Sequence, residues 1–274
     1  MPIPNLTVCP SSPGDRKPIS AAILSDHLRK KVVLMQKANV SLAIDGPAAS
    51  GKSTTAKRLA SIFRFRYIDS GSMFRAVTLK CVENGVDPHQ QPDKVASVAS
   101  SLDIQFPDYG TVSVNGELVT HQLRQESVAR AIGPIASNPQ VRHTLAEHQR
   151  RLASTPDARY PGFTHGKETI QGVVMDGRDI GTVILPHAEL KVFMVADVRD
   201  RAQRRFQELQ GKATLDQVMA DIEARDLADR TRTISPLKKA DDAIELDTSR
   251  LSIDQQVAAI QKLVYQKLQQ HPTV

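Results

Sequence analysis

The chain has 274 residues, 40% of them hydrophobic and 24% charged, with a formal net charge of +6. That composition supports an ordinary packed core and excludes a fibrous repeat or a wholly disordered chain, and no run approaches the roughly 20 uncharged apolar residues of a membrane-spanning helix. The positive balance suits a polyanionic partner, but with no Trp and only 4% aromatics the stacking platforms for single-stranded nucleic acid are scarce, so small phosphates are expected rather than polymers.

In chain order, Pro2, Pro4, Pro10, Pro13, Gly14 and Pro18 break any regular element before Ser20. Ile23, Leu24, Leu28 and residues 32–34 then predict one short helix. Residues 1–38 read as a mobile N-terminal extension. They lack the apolar core of a secretory signal, which leaves a soluble cytoplasmic protein as the expectation and mitochondrial targeting as the alternative. Cys9 and Cys81 have no CxxC spacing, which argues against a disulfide framework or zinc site and for a reducing compartment.

From Val40 onward short apolar runs alternate with longer amphipathic stretches, the pattern of βα units around a parallel sheet. The predicted strands are 40–44, 65–68, 173–175, 190–195 and 243–246, five in all. Between 87 and 150 the pattern changes: 102–106 and 111–114 look like strands, and Asn115-Gly116 marks a tight hairpin turn in an insertion beside the main sheet. Residues 155–172, rich in Gly and Pro, read as a surface loop. A closing helix is signalled by the capping box Ser252/Gln255 and by Val257, Ile260, Leu263, Val264 and Leu268 on one face.

Gly46-Pro47-Ala48-Ala49-Ser50-Gly51-Lys52-Ser53 satisfies GxxxxGK[ST] between an apolar strand and a helix-compatible segment opening at Thr54, the context a phosphate loop requires. Its glycines let backbone N–H groups approach phosphate oxygens. The helix N-terminus adds partial positive charge, Lys52 is placed for the β/γ oxygens of ATP, and Ser53 for Mg²⁺. No NKxD segment appears, since Lys238-Lys239-Ala240-Asp241 lacks the Asn, so a switch GTPase is disfavoured and a small-molecule kinase remains. Such an enzyme needs guanidinium groups from several segments. Arg75, in Asp69-Ser70-Gly71-Ser72-Met73-Phe74-Arg75, is the candidate clamp on the acceptor phosphate. Asp176, in Met175-Asp176-Gly177-Arg178-Asp179, ends a strand where a carboxylate holds Mg²⁺ through water. Arg225, Asp229 and Arg232 lie at helical spacings of four and three, so one face presents all three if the helix extends that far. A kinase for uridylate or another small acceptor, and a non-catalytic ATP-dependent switch, both remain open on these residues.

Taken together, GPAASGKS, DSGSMFR, NPQVR at 138–142, DGRDIGT at 176–182 and RDLADRTR resemble the bacterial-type cytidylate kinases over about residues 40–268. The resemblance implies a P-loop nucleoside-monophosphate-kinase fold, α/β with a five-stranded parallel sheet flanked by helices. It divides the chain into a core (39–86, 151–198 and 233–274), an acceptor-binding insertion (87–150) and a helical lid (199–232). It implies transfer of the γ-phosphoryl group of ATP to CMP or dCMP with Mg²⁺, by a monomeric enzyme with no nucleic-acid or membrane partner. By matching position, Ser70, Arg75, Arg178 and Arg225 contact the acceptor nucleotide, Asp229 its ribose, and Arg232 the acceptor phosphate or the ribose-binding carboxylate. Arg142 and Asp179 read cytosine. Arg201, Arg204 and Arg205 are candidates for reaching ATP, and Lys52, Arg178, Arg225 and Arg205 form the catalytic set. Two residues depart from the family pattern: Phe74 stands where Tyr is common, and Gly133 where a cytosine-contacting Ser is usual.

Overall fold

The computed structural model describes residues 39–166, 168–211 and 213–270, and the predicted extension at 1–38 lies outside them. β1 (Asn39–Asp45) leads through the 46–53 loop into α1 (Lys52–Phe63), and β2 (Arg66–Asp69) runs directly into α2 (Ser70–Glu83). Next come α3 (Pro92–Ser101), three two-residue strands, β3 (Ile104–Gln105), β4 (Ser113–Val114) and β5 (Glu117–Leu118), a 3₁₀ turn at Gln122–Arg124, α4 (Glu126–Ser137) and α5 (Pro139–Ser154). β6 (Phe163–His165), β7 (Glu168–Gly177), a π-helical turn at Ile180–Ile184 and β8 (Leu190–Val195) follow. α6 (Val198–Leu209), α7 (Leu215–Thr231), β9 (Ile244–Asp247) and α8 (Ile253–Gln270) complete the described chain.

The five predicted strands pair in parallel in the order β2-β7-β1-β8-β9. Alternation along each strand divides the apolar side chains between two faces. Leu42 and Ile44 of β1, with Val174, Val192 and Met194, meet Leu59 and Phe63 of α1 and Val257, Ile260 and Val264 of α8. Ala43, Ile68, Val173 and Met175 face the other way, onto Met73 and Val77 of α2 and the helices that follow. Because helices cover both faces, the run from Val173 to Met175 is continuously apolar rather than alternating with polar residues. The Ser252/Gln255 capping box is present: Gln255 N donates to Ser252 Oγ at 3.2 Å and Ser252 N to Gln255 Oε1 at 2.9 Å.

Two regions differ from the sequence reading. Residues 155–172 are not a plain surface loop, because β6 pairs antiparallel with the first part of β7, Phe163 opposite Ile170 and His165 opposite Glu168. Phe163 stacks beside Phe63 and Phe65 at centroid separations of 4.9 and 5.8 Å, and this aromatic contact anchors the hairpin. Its arms are only three residues each between glycines, too short for a periodic signal. In the insertion, the predicted strands 102–106 and 111–114 shrink to the two-residue β3 and β4, which pair antiparallel, and the predicted Asn115-Gly116 turn joins β4 to a further strand, β5, with both turn residues at positive φ, 51° and 86°.

Gly172 shows why a glycine lies inside the longest strand. A Cβ there would stand 2.3 Å from the Val40 carbonyl oxygen and 2.8 Å from the Phe65 ring. Gly172→Ala therefore forces β1 and β7 apart, and we expect a loss of about 1–3 kcal/mol, read as a lower urea midpoint at unchanged slope. An unchanged midpoint would show that the strands can relax around the methyl group.

Candidate active site

The parallel register sets the site. Asp176 is paired with Ile44 on one side and Asp69 on the other, so β1, β2 and β7 end together and deliver Gly46, Ser70 and Arg178 to one edge. β1 is the point from which the chain crosses to β2 on one side while β8 and β9 lie on the other, and this is where open α/β sheets form ligand crevices.

The 46–53 loop leaves β1 at Gly46, where a Cβ would lie 2.3 Å from the Met194 carbonyl oxygen, and enters α1 through Gly51 at φ 89°. Ala49 also has positive φ, 56°. Pro47, Ala48 and Ser50 are buried, while Ser53 and Thr54 are exposed in the first turn of α1. With glycine at the N-cap, no side chain caps the first amides of α1, and the dipole favours an anion there. Lys52 folds back and donates to the Pro47 carbonyl at 3.0 Å. Burial, then the like charge of Arg178, lowers its pKa to about 7, with Asp176 opposing the shift.

Asp176 accepts from Ser53 Oγ at 2.6 Å and from the Tyr67 hydroxyl at 2.8 Å, and its backbone carbonyl accepts from Ser70 Oγ at 2.8 Å. Burial, then the neighbouring carboxylate of Asp69, raises its pKa to about 7. Asp69 caps α2, accepting from Ser72 N at 3.0 Å.

Three ion pairs gather around the residues that follow the Asp176-Gly177 step. Arg178 Nε donates to Asp229 Oδ2 at 2.7 Å, and Arg232 Nη1 donates to Asp229 Oδ1 at 3.3 Å. Arg232 is the C-cap of α7 rather than part of it, so the predicted face of three is Arg225 and Asp229 on the helix with Arg232 reaching back. Arg142 Nη2 donates to Asp179 Oδ2 at 2.7 Å, both side chains being buried. The Arg142 guanidinium is also held by the Ala136 carbonyl at 2.9 Å and lies 5.2 Å from the centroid of Phe74. Its Nε has no partner among the described residues. Arg75 is half-buried, with burial and the like charges of Arg205, Arg178 and Arg124 lowering its pKa against the opposing pull of Asp69. Arg225 is crowded by protein atoms yet retains an exposed side. That crowding, then Arg178, with Arg75 adding to it, lowers its pKa to about 10. Arg205 pairs with Glu208 at 2.8 Å in the open.

Arg201 and Arg204 are placed differently from the other arginines. Arg201 is buried, donates to the Ala48 carbonyl at 3.1 Å and pairs with buried Asp226, which in turn accepts from Ala48 N at 3.2 Å. Arg204 donates to the Ser249 carbonyl at 3.0 Å and to that of Thr248. Both guanidinium groups are thus committed to the backbone around the loop. Sequence reasoning overlooked four contributors. Tyr67 carries no motif signal, and Asp226, though inside RDLADRTR, was assigned no role there. Asp69 and Asp45 do carry a signal: each is an acid at the last position of a strand facing the same edge.

Fold and site together define a P-loop α/β phosphotransferase. The sequence model of the cytidylate kinase family matches residues 42–266. The chain is 43% identical over 233 residues to a cytidylate kinase of Chloroherpeton thalassium, covering 82% of this chain and 92% of that one. It is 42% identical to one of Anoxybacillus flavithermus (84% and 98% covered) and 43% identical to one of Listeria monocytogenes (84% and 97%). The chain belongs to the cytidylate kinase family.

Arg201→Met should cost about 3–5 kcal/mol in chemical denaturation, because it leaves Asp226 buried without its cation. Loss of under half that amount would mean that solvent reaches Asp226.

Proposed function

We propose that the chain transfers the γ-phosphoryl group of ATP to CMP, and to dCMP, giving ADP and the corresponding diphosphate. The observation that carries this reading is the buried Arg142–Asp179 pair one residue from Arg178, beside the phosphate loop. Cytosine offers an N4 donor beside N3 and O2 acceptors, which suits a carboxylate next to a guanidinium. Uracil instead puts O4 against the carboxylate. Family membership supports the same acceptor.

In this reading the loop amides and Lys52 hold the donor phosphates. Arg75, Arg178 and Arg225 bind the acceptor phosphate and, with Arg205, neutralise the transferred group, while Ser70 lines the acceptor site. Asp229 takes the ribose hydroxyls and is steadied by Arg232. Transfer is in line and needs no protein base, so positioning and electrostatics carry the rate. The Ser53 hydroxyl and Asp176 carboxylate, 2.6 Å apart, are hard oxygen donors of the kind Mg²⁺ takes, Asp176 acting through water. When bound, Mg²⁺ supplies charge neutralisation between the β- and γ-phosphates. Residues 87–150 are assigned to acceptor binding and 199–232 to a lid that excludes water on closing. Among the described residues no helix is long and apolar enough to cross a membrane, and we assign the protein to the cytoplasm as a monomer.

A coupled ADP-release assay across CMP, dCMP, UMP, AMP, GMP and shikimate tests the reading. CMP and dCMP should stimulate turnover most, and Asp179→Ala should narrow the gap between CMP and UMP. Stimulation by none of these acceptors would sink the kinase assignment.

Gly133 lies one helical turn before Ala136, whose carbonyl holds Arg142, and a Cβ built on it meets nothing within 4 Å. Gly133→Ser therefore fits without strain. Regaining one polar contact of about 1 kcal/mol should raise the CMP-over-UMP preference about fivefold, measured as a ratio of kcat/KM values.

A further inference from the structure

Asp45 is the last residue of β1, immediately before Gly46, and only 4% of it is exposed. Its two carboxylate oxygens accept from consecutive amides, Oδ1 from Ile180 N at 2.8 Å and Oδ2 from Gly181 N at 2.7 Å. These amides open the π-helical turn Ile180–Ile184, and Asp179 is that turn's N-cap. The Asp179 carbonyl in turn accepts from Val183 N at 2.9 Å and Ile184 N at 3.2 Å. The turn is thus held at its first amides by Asp45 and closed on itself behind Asp179. No side chain of the turn caps its own start.

Space around the clamp is equally restricted. A Cβ on Gly181 would lie 3.1 Å from Lys191 Cδ and 3.4 Å from Asp45 Oδ2. Lys191 cannot swing freely, because its Nζ donates to the Pro186 carbonyl at 2.6 Å and to Asp242 at 2.8 Å. A carboxylate suits this geometry: each of its two oxygens meets one amide, and a buried carboxylate left without donors would be costly.

We propose that Asp45 is a positioning residue for selection of the acceptor base. By clamping the amides of Ile180 and Gly181 to the end of β1, it sets where the Asp179 carboxylate meets Arg142, and it ties that reader to the strand that starts the donor-phosphate loop. This rests on the assignment of Asp179 and Arg142 to the base.

The test compares wild type with Asp45→Asn, Gly181→Ala, Asp179→Ala and the double variant Asp45→Asn/Asp179→Ala, using CMP and UMP as acceptors. An asparagine turns one acceptor into a donor facing an amide, so the turn shifts. Asp45→Asn should raise the CMP KM about tenfold with a much smaller change in kcat, and should lower the CMP-over-UMP ratio. The ATP KM should stay within about twofold. Gly181→Ala pushes the same turn from the other side with Asp45 intact and should lower the ratio in the same direction, which covers an Asp45→Asn protein that fails to fold. In the double variant the ratio should equal that of Asp179→Ala alone. A ratio unmoved in folded Asp45→Asn or, if that protein does not fold, in Gly181→Ala overturns the inference while leaving the kinase reading in place. Equal losses of kcat toward both acceptors with the ratio kept also overturn it, since that pattern marks a merely structural role. A ratio unmoved by Asp179→Ala overturns the base reader itself, and the positioning role with it.

Discussion

The Asp176 carboxylate is the junction on which the rest of the site depends. It stands at the carboxyl end of the longest strand, and three elements are fixed to it: α1 through Ser53, β2 through Tyr67, and α2 through Ser70 on its carbonyl. Burial raises its pKa to about 7, and burial lowers that of Lys52 to about 7. Each buried charge is stabilised chiefly by the other's field, in a crevice with little water to screen it. Lys52 is therefore a buried cation that the fold leaves under-compensated, at a helix N-terminus whose dipole also favours an anion.

The arginines extend the same principle. Arg75, Arg178 and Arg225 repel one another and share few carboxylates; the Arg178–Asp229 pair is the tightest of those contacts. Such a crowd of like charge is unfavourable unless an anion lies among its members. Arg201 is the contrast. It has a buried carboxylate partner and a backbone acceptor in the loop, so its charge is compensated within the protein. The distinction lies in pairing, not in residue type.

That contrast marks what could be read from the sequence. The strand–loop–helix placement of residues 46–53, the position of Asp176 at the end of its strand and the shared helix of Arg225 and Asp229 were legible because spacing along one segment fixes them. The five parallel strands were legible because short apolar runs bounded by turn residues, with amphipathic stretches between them, mark strands buried on both faces. Tyr67, Asp226 and the Arg201 pairing were not, because each depends on a partner far away in sequence: Tyr67 reaches Asp176, and Asp226 reaches Ala48. The β6 hairpin was hidden for another reason, its stability coming from Phe163 lying on Phe63 and Phe65 rather than from any periodicity of its own.

The peptide of Ala48 connects these two levels. Its N–H is bonded to Asp226 of α7 and its carbonyl to Arg201 of α6, while Ala49 packs on the small apolar cluster formed by Ala202, Val218 and Ile222. The phosphate loop is therefore gripped on one side by the α6–α7 segment and, through Asp45 at its root, continuous with the turn that bears Asp179. A joint shift of α6 and α7 must either break both hydrogen bonds to the Ala48 peptide or carry the loop with it, because the buried Arg201–Asp226 pair lies between the two helices and moves with them. The phosphate loop and the turn after Asp179 are accordingly parts of one hydrogen-bonded unit, joined through the short span from Asp45 to Lys52.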